Sequence, residues 1–320
     1  MRRGTVLGGT GGVWRVLLDD GSTVDASMRG RLKRDEERNT TAKDGSKPVK
    51  LAVGDVVDVA ITPDADGASV HAIAAIMPRR SQLARRAPGR AFGERVVVAN
   101  LDQVLVVFAA ANPDPHPRML DRFLVIAEAN DLAARIVVNK CDLADEPSAR
   151  ARFADFERAG YPVHYTSVVA DRGLDTLREV VQGKVSALAG PSGVGKSSLM
   201  NALFPGLTLR VGAISESVNK GRHTTVGALL HPLPGGGFVA DTPGLREVGL
   251  WGIDVGDVAH CFPELRPYLG ACRFADCTHL VEPGCAIREA VEAGLVSRGR
   301  WESYGKLREE LASAASASWS

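Results

Sequence analysis

Gly190-Pro191-Ser192-Gly193-Val194-Gly195-Lys196-Ser197-Ser198 follows the apolar run from Lys184 to Ala189 and opens the stretch Ser198 to Phe204. The nine residues fit G-x-x-x-x-G-K-[ST] with a strand predicted before them and a helix after, the context of a phosphate-binding loop. Glycines at 190, 193 and 195 let backbone N–H groups approach phosphate oxygens, and the helix N-terminus favours the same anion. Lys196 is placed to reach the β- and γ-phosphates and Ser197 to ligate Mg²⁺. The pattern predicts a nucleotide site in an α/β domain.

Upstream, Val104 to Phe108 reads as a buried strand, Met119, Leu120, Phe123, Leu124 and Ala127 recur at helical spacing, and Arg135 to Val138 forms the next strand. That strand runs into Asn139-Lys140-Cys141-Asp142, the N-K-x-D pattern, at the carboxyl end where ligands of parallel sheets sit. A carboxylate at Asp142 accepts from N1–H and the exocyclic amine of guanine, whereas adenine would leave it unpaired, so the base selected is guanine and the nucleotide GTP or GDP. Asn139 orients the loop and contacts the base edge, the Lys140 stem covers the purine face, and Cys141 reads as a buried filler. Thr166-Ser167-Val168 is expected to add a backbone contact to the base.

Two segments follow the phosphate loop. Asp241-Thr-Pro-Gly244 lies after the strand Phe238 to Ala240, with Asp241 near the Mg²⁺ shell and the Gly244 amide near the γ-phosphate. In Gly221-Arg-His-Thr-Thr225, either Thr224 or Thr225 is the Mg²⁺ ligand with GTP bound, and His223 is a candidate for positioning water. Leu245 stands where many GTPases carry the glutamine that orients the attacking water, so hydrolysis needs help from His223 or from a partner. N-K-x-D at 139 and T-S-V at 166 precede the phosphate loop at 190. That order reverses the usual one and predicts a circular permutation, which spares the site when the original termini are close together.

The rest of the 320-residue chain, 45% hydrophobic and 24% charged, suits several ordinary domains. Residues 1–78 carry short alternating patches, such as Val13 to Leu18 and Val56 to Ile61, split by turns at Asp19-Asp-Gly21 and Val53-Gly-Asp55, the pattern of a small barrel. Arg29 to Arg34 gives it a basic edge, and Asn39 to Lys47 reads as a polar loop. Residues 79–95 read as a basic linker in which Arg79, Arg80, Arg85, Arg86, Arg90 and Arg95 face one acid, Glu94, and offer phosphate contacts. Residues 96–250 form the permuted domain and 251–320 the last one. There Cys272-x₄-Cys277-x-His279-x₅-Cys285 supplies three thiols and an imidazole, the donor set of a closed structural Zn²⁺ site. Cys261, with His260 beside it, is the alternative ligand, with packing preferred for both; Ala286 to Ala293 and Arg300 to Leu311 are assigned to helices and the Ala/Ser tail from Ala312 to a frayed end. The start of the chain has no apolar signal region and no apolar run is long enough for a membrane span, so the expectation is cytoplasmic, without a membrane partner.

With its motifs in this order, including Phe262-Pro-Glu264 and Glu282-Pro-Gly-Cys285, the chain resembles the RsgA (YjeQ) family of circularly permuted GTPases that depend on the small ribosomal subunit. The resemblance spans nearly the whole length. It implies a multidomain protein with an N-terminal OB-fold barrel that binds RNA, a circularly permuted α/β P-loop GTPase domain and a small zinc-binding α domain. It also implies a monomer that works on the small subunit and its rRNA late in maturation, alongside other assembly factors, with hydrolysis of GTP stimulated by the subunit. A hydrophobic residue at 245 is part of the same resemblance. The alternative is a GTP-controlled RNA-binding scaffold whose hydrolysis is incidental.

Overall fold

Short strands with one apolar face bury that face by closing on themselves, and the first five strands do so. A computed structural model of the protein describes residues 1–28, 50–63, 69–86, 94–207, 209, 228–241 and 253–317. The basic edge Arg29 to Arg34, the loop Asn39 to Lys47, Arg90 and the side chains of Arg85, Arg86 and Arg95 lie outside what is described. Strands β1 (Arg2–Thr10), β2 (Val13–Leu18), β3 (Thr23–Met28), β4 (Val56–Pro63) and β5 (Ser69–Ile76) form a closed barrel in the order β1-β2-β3-β5-β4. This is the five-stranded, OB-type arrangement. All its ladders are antiparallel except β3 with β5. Alternation puts Val6, Val16, Leu18, Ala26, Val57, Val59 and Ile73 inside.

The stretch expected as a linker is partly sheet. β6 (Gln82–Arg86) pairs antiparallel with β7 (Glu94–Ala99). Its first arginine is committed to the fold rather than to a polyanion. Arg79 Nε and Nη2 donate to the two oxygens of Asp55 at 2.7 and 2.9 Å, and Asp55 is fully buried. Asp55 also accepts from Ala52 N at 2.7 Å, and Asn100 Nδ2 donates to Gly54 O at 2.9 Å, so the Val53-Gly-Asp55 turn stitches the barrel to the β6–β7 pair. Arg80 pairs with Asp102 at 3.1 Å. The expected phosphate contacts are thereby corrected at Arg79, because a bidentate guanidinium beside a buried carboxylate is not free to leave it without stranding that charge.

The chain divides into two compact units. One holds residues 1–102, 181–188 and 212–245, the other 103–180, 189–211 and 246–320. The strands of the α/β region fall into two sets, one in each unit. In the second unit β8 (Gln103–Ala109), β9 (Ala133–Asn139) and β10 (Val163–Tyr165) are parallel, in the order β10-β9-β8. All seven residues of β8 are buried, as its unbroken apolar run requires. In the first unit β11 (Val185–Ala189) runs parallel to β13 (Phe238–Asp241), which pairs antiparallel with β12 (Leu229–Pro232).

Helices of the second unit are α1 (Pro117–Ala129), α2 (Glu146–Arg158), α3 (Leu174–Val181), α4 (Lys196–Leu203), α5 (Ala286–Glu292) and α6 (Arg298–Ala317). Proline at the start of α1 fits a first turn whose amides lack intrahelical partners, and Leu120, Phe123, Leu124 and Ala127 form its buried face. Phe123 meets Phe108 of β8 edge-on at 6.2 Å. Asp145 caps α2 by accepting from Ser148 N at 2.9 Å. Residues of the C-terminal segment share a core with α1, where Val125 packs with Val258, Phe262, Leu265, Ile287 and Leu307. The Ala/Ser tail expected to fray is helical to Ala317, since alanine favours helix even without packing.

Candidate functional site

The phosphate loop joins β11 to α4. Gly190 has φ +128°, and a methyl group there would sit 2.1 Å from the Val107 carbonyl of β8. Gly195 has φ +91°, and a methyl group would sit 2.6 Å from Asn139 Nδ2. Both glycines are required by close approach as well as by backbone angle. Lys196 opens α4, and its ammonium donates to Gly190 O at 2.8 Å and Pro191 O at 2.6 Å, so it curls over its own loop. Ser197 and Ser198 are half-buried in the same first turn.

β9 delivers Asn139 to this loop. Its amide is buried, donates through Nδ2 to Val194 O at 3.0 Å, and accepts through Oδ1 from Thr166 Oγ1 at 3.2 Å. Three separate motifs therefore meet on one side chain. Lys140 adopts the left-handed region at φ 59° and its ammonium donates to Asn112 O. Ser167 Oγ donates to Asp142 Oδ1 at 2.5 Å and accepts from Ala170 N at 3.0 Å, fixing the direction of the carboxylate. Cys141 is buried, as expected of a filler. Its thiol donates to Val138 O at 3.2 Å, and burial pushes its pKa up.

The segment after β8, Ala110 to His116, was not singled out from sequence, although the carboxyl end of a buried parallel strand is where such a loop belongs. Asn112 receives Lys140, while Ala110 O accepts from Arg152 Nη1 of α2 at 3.2 Å. Within the first unit, Asp241 ends β13, between Leu188 and Leu229 in register. His231 of β12 is lowered by burial and partly raised by Asp241. Gly221 to Thr225, with His223, Thr224 and Thr225, and Thr242 to Leu245, with Gly244, lie outside the described residues.

A second candidate centre lies in the C-terminal segment. Ligand atoms of Cys272, Cys277, His279 and Cys285 all fall within 4.8 Å of one another. His279 Nδ1 is 3.4 Å from Cys272 Sγ and 3.6 Å from Cys285 Sγ, and those two sulfurs are 3.9 Å apart. Ligand bonds of about 2.3 Å to sulfur and 2.0 Å to nitrogen give tetrahedron edges of roughly 3.8 and 3.5 Å, so the four donors fit one small cation. Burial, with the thiols of Cys285 and Cys272 adding to it, pushes the Cys277 thiol up to about 12. A bound cation inverts that, because its charge favours thiolate. Cys261 stands outside the cluster, donating to Asp257 O at 3.5 Å, and burial raises it to about 11.

Sequence reading missed Arg300. It is 3% exposed and pairs with both oxygens of Glu264, at 2.6 and 3.0 Å, and with Asp121 of α1. Phe262 and Phe156 lie 4.7 and 5.1 Å from its guanidinium. Glu264 of the quoted Phe262-Pro-Glu264 is one half of this clasp.

A family model described as RsgA GTPase matches residues 76–251. The chain is 66% identical over 308 residues to the small ribosomal subunit biogenesis GTPase RsgA of Gemmatimonas aurantiaca, covering 96% of this chain and 97% of that one. It is 34% identical to the protein of the same name from Phocaeicola vulgatus, covering 96% of each. Among solved structures, YjeQ from Thermotoga maritima superposes with a TM-score of 0.77 at 34% identity, covering 97% of this chain and 98% of that one. YloQ, described as a circularly permuted GTPase, gives 0.71 at 28% identity, covering 98% and 96%.

Proposed function

We propose, from the premise that this chain belongs to the RsgA family of circularly permuted GTPases and is a GTP hydrolase, that it acts on the small ribosomal subunit late in assembly. It binds the subunit's rRNA and turns GTP into GDP and phosphate faster when the subunit is present. The buried bond from Asn139 to Val194, which ties the N-K-x-D loop to the phosphate loop, supports the guanine-nucleotide site, and the 66% identity to a small ribosomal subunit biogenesis GTPase supports the subunit as its target.

Asp142, aimed by Ser167, accepts from the guanine N1–H and amine, while the Lys140 stem covers the purine and Thr166-Ser167 borders its edge. Amides of Gly190 to Ser198 surround the phosphates, and Lys196 swings from its carbonyl partners to the β- and γ-oxygens. Ser197, Asp241 and one of Thr224 and Thr225 would hold Mg²⁺, and the Gly244 amide would serve the γ-phosphate. When bound, that ion neutralises charge developing on the phosphate oxygens. Leu245 has no hydrogen-bonding group, so His223 or a ribosomal group orients the water. Cys272, Cys277, His279 and Cys285 hold one structural Zn²⁺, for which the three-sulfur, one-nitrogen set is the usual choice. The barrel of residues 1–78 is the RNA-binding part, 96–250 the GTPase and 251–320 the zinc-binding part.

The test is turnover by purified protein alone, with small subunits, and with large subunits. Trans-acting completion of such sites elsewhere is worth about 10³–10⁵-fold, so the expected result is slow intrinsic turnover and a large acceleration by small subunits only. A fast intrinsic rate that small subunits leave unchanged refutes the proposal.

A further inference from the structure

The turn bearing two of the four metal donors closes around one carboxylate. Glu282 Oε1 accepts from Thr278 N at 3.0 Å and Thr278 Oγ1 at 2.5 Å, and Oε2 accepts from Leu280 N and Val281 N at 3.2 Å each. On the carbonyl side, helix α6 completes the turn: Trp301 Nε1 donates to His279 O at 2.8 Å and Tyr304 OH to Thr278 O at 2.7 Å. Between the two sets His279 is held at φ 65°, a left-handed angle that residues other than glycine adopt rarely. That angle brings Nδ1 to 3.4 and 3.6 Å from Cys272 and Cys285.

Nothing in the spacing of the cysteines demands an acid at 282. Its oxygens accept from three amides and a hydroxyl, with the Cys277 thiol also at 3.7 Å, so Glu282 serves the turn and stands outside the donor set. We propose that Glu282 is a positioning residue of the metal centre: its carboxylate gathers the amides of Thr278, Leu280 and Val281 and so presets His279 and Cys277 for the ion. The proposal rests on the metal reading above.

An opposing effect sets the sign of the test. Cys277 Sγ lies 3.7 Å from Glu282 Oε2, so a thiolate there faces a carboxylate. If that repulsion outweighed the gathering of the amides, neutralising Glu282 would tighten metal binding. Glu282→Gln keeps the shape but turns an –NH₂ toward amide donors on one side, and Glu282→Ala removes both oxygens. Zn²⁺ affinity of the full chain is measured by competition with a chromophoric chelator, and Co²⁺ substitution reports ligand geometry through its visible absorption. Loss of an outer partner typically costs about 10–100-fold in metal affinity, so roughly tenfold is expected for Gln and roughly a hundredfold for Ala. The Co²⁺ bands should lose tetrahedral intensity, and guanine nucleotide binding should be unchanged. If Glu282→Ala fails to fold, Glu282→Gln carries the test alone. Glu282→Gln that binds Zn²⁺ as tightly as the parent, or more tightly, overturns the positioning role. Altered affinity with unchanged Co²⁺ bands overturns it too, in favour of a general loss of stability. A parent protein that binds no Zn²⁺ overturns the metal reading itself.

Discussion

Replacing Asn139 by alanine removes the donor that Val194 O receives at 3.0 Å and the acceptor that Thr166 Oγ1 uses at 3.2 Å. Val194 and Thr166 are fully buried, so water cannot take over either role. Thr166 Oγ1 keeps a second acceptor in Val138 O at 3.5 Å, whereas the Val194 carbonyl loses its side-chain partner. A lost hydrogen bond costs about 0.5–1.5 kcal/mol and a stranded buried carbonyl about 1–3, which together make roughly 2–4 kcal/mol. If that cost falls on the geometry of the loop, GTP affinity drops by about 30- to 700-fold, at 1.4 kcal/mol per tenfold. Asn139→Asp separates shape from chemistry. The buried carboxyl is driven up in pKa and bonds Val194 O only while protonated. Its folded pKa then lies above the unfolded value of about 3.9, so its stabilising contribution is full below that value and is lost as pH rises through the folded one. Urea unfolding of both variants across pH, with nucleotide titration at neutral pH, provides the measurement. The reasoning fails if Asn139→Ala leaves stability and GTP affinity intact, or if the aspartate variant gains stability as pH rises.

Arg300→Met strands Asp121 and Glu264 and should cost about 3–5 kcal/mol by urea unfolding. Burial already raises the Asp121 pKa, so without its cation the loss relative to the parent should shrink as pH falls from neutrality toward 4, and a loss that does not change with pH would count against the clasp. Asp142→Asn replaces a double acceptor with an amide and should lower GTP affinity by about 10²-fold or more while improving xanthosine triphosphate binding. Competition binding reads both, and an unchanged preference for GTP removes Asp142 from the base site. Cys285→Ser should lose zinc by elemental analysis, while Cys261→Ser, outside the cluster, should keep it.

What the sequence disclosed and what it concealed separate by distance along the chain. Gly190 to Ser198, Asn139 to Asp142 and the Cys272 to Cys285 ligands are local patterns in which spacing alone specifies the chemistry, and the structure brings each set together. Arg79 with Asp55 and Arg300 with Asp121 are 24 and 179 residues apart, and no periodicity reveals such partners. Arg79 reads from sequence as one of a cluster of phosphate-contacting arginines because the residues around it are basic. Its environment is set instead by a turn from the barrel. Glu282 was visible only as part of a motif, since accepting three amides is a property of a turn's shape and not of composition.

The clasp at Arg300 also sets an order of events during synthesis. Asp121 leaves the ribosome 179 residues before the arginine that neutralises it. At about 5–20 residues per second that interval is roughly 9–36 s. Throughout it, the nascent α1 carries an acid destined for a dry interior, and the cores of β8 and β9 can form while that acid stays in water. Helix α6 thus seals α1 from far along the chain, so a chain cut short before residue 300 leaves Asp121 without its cation.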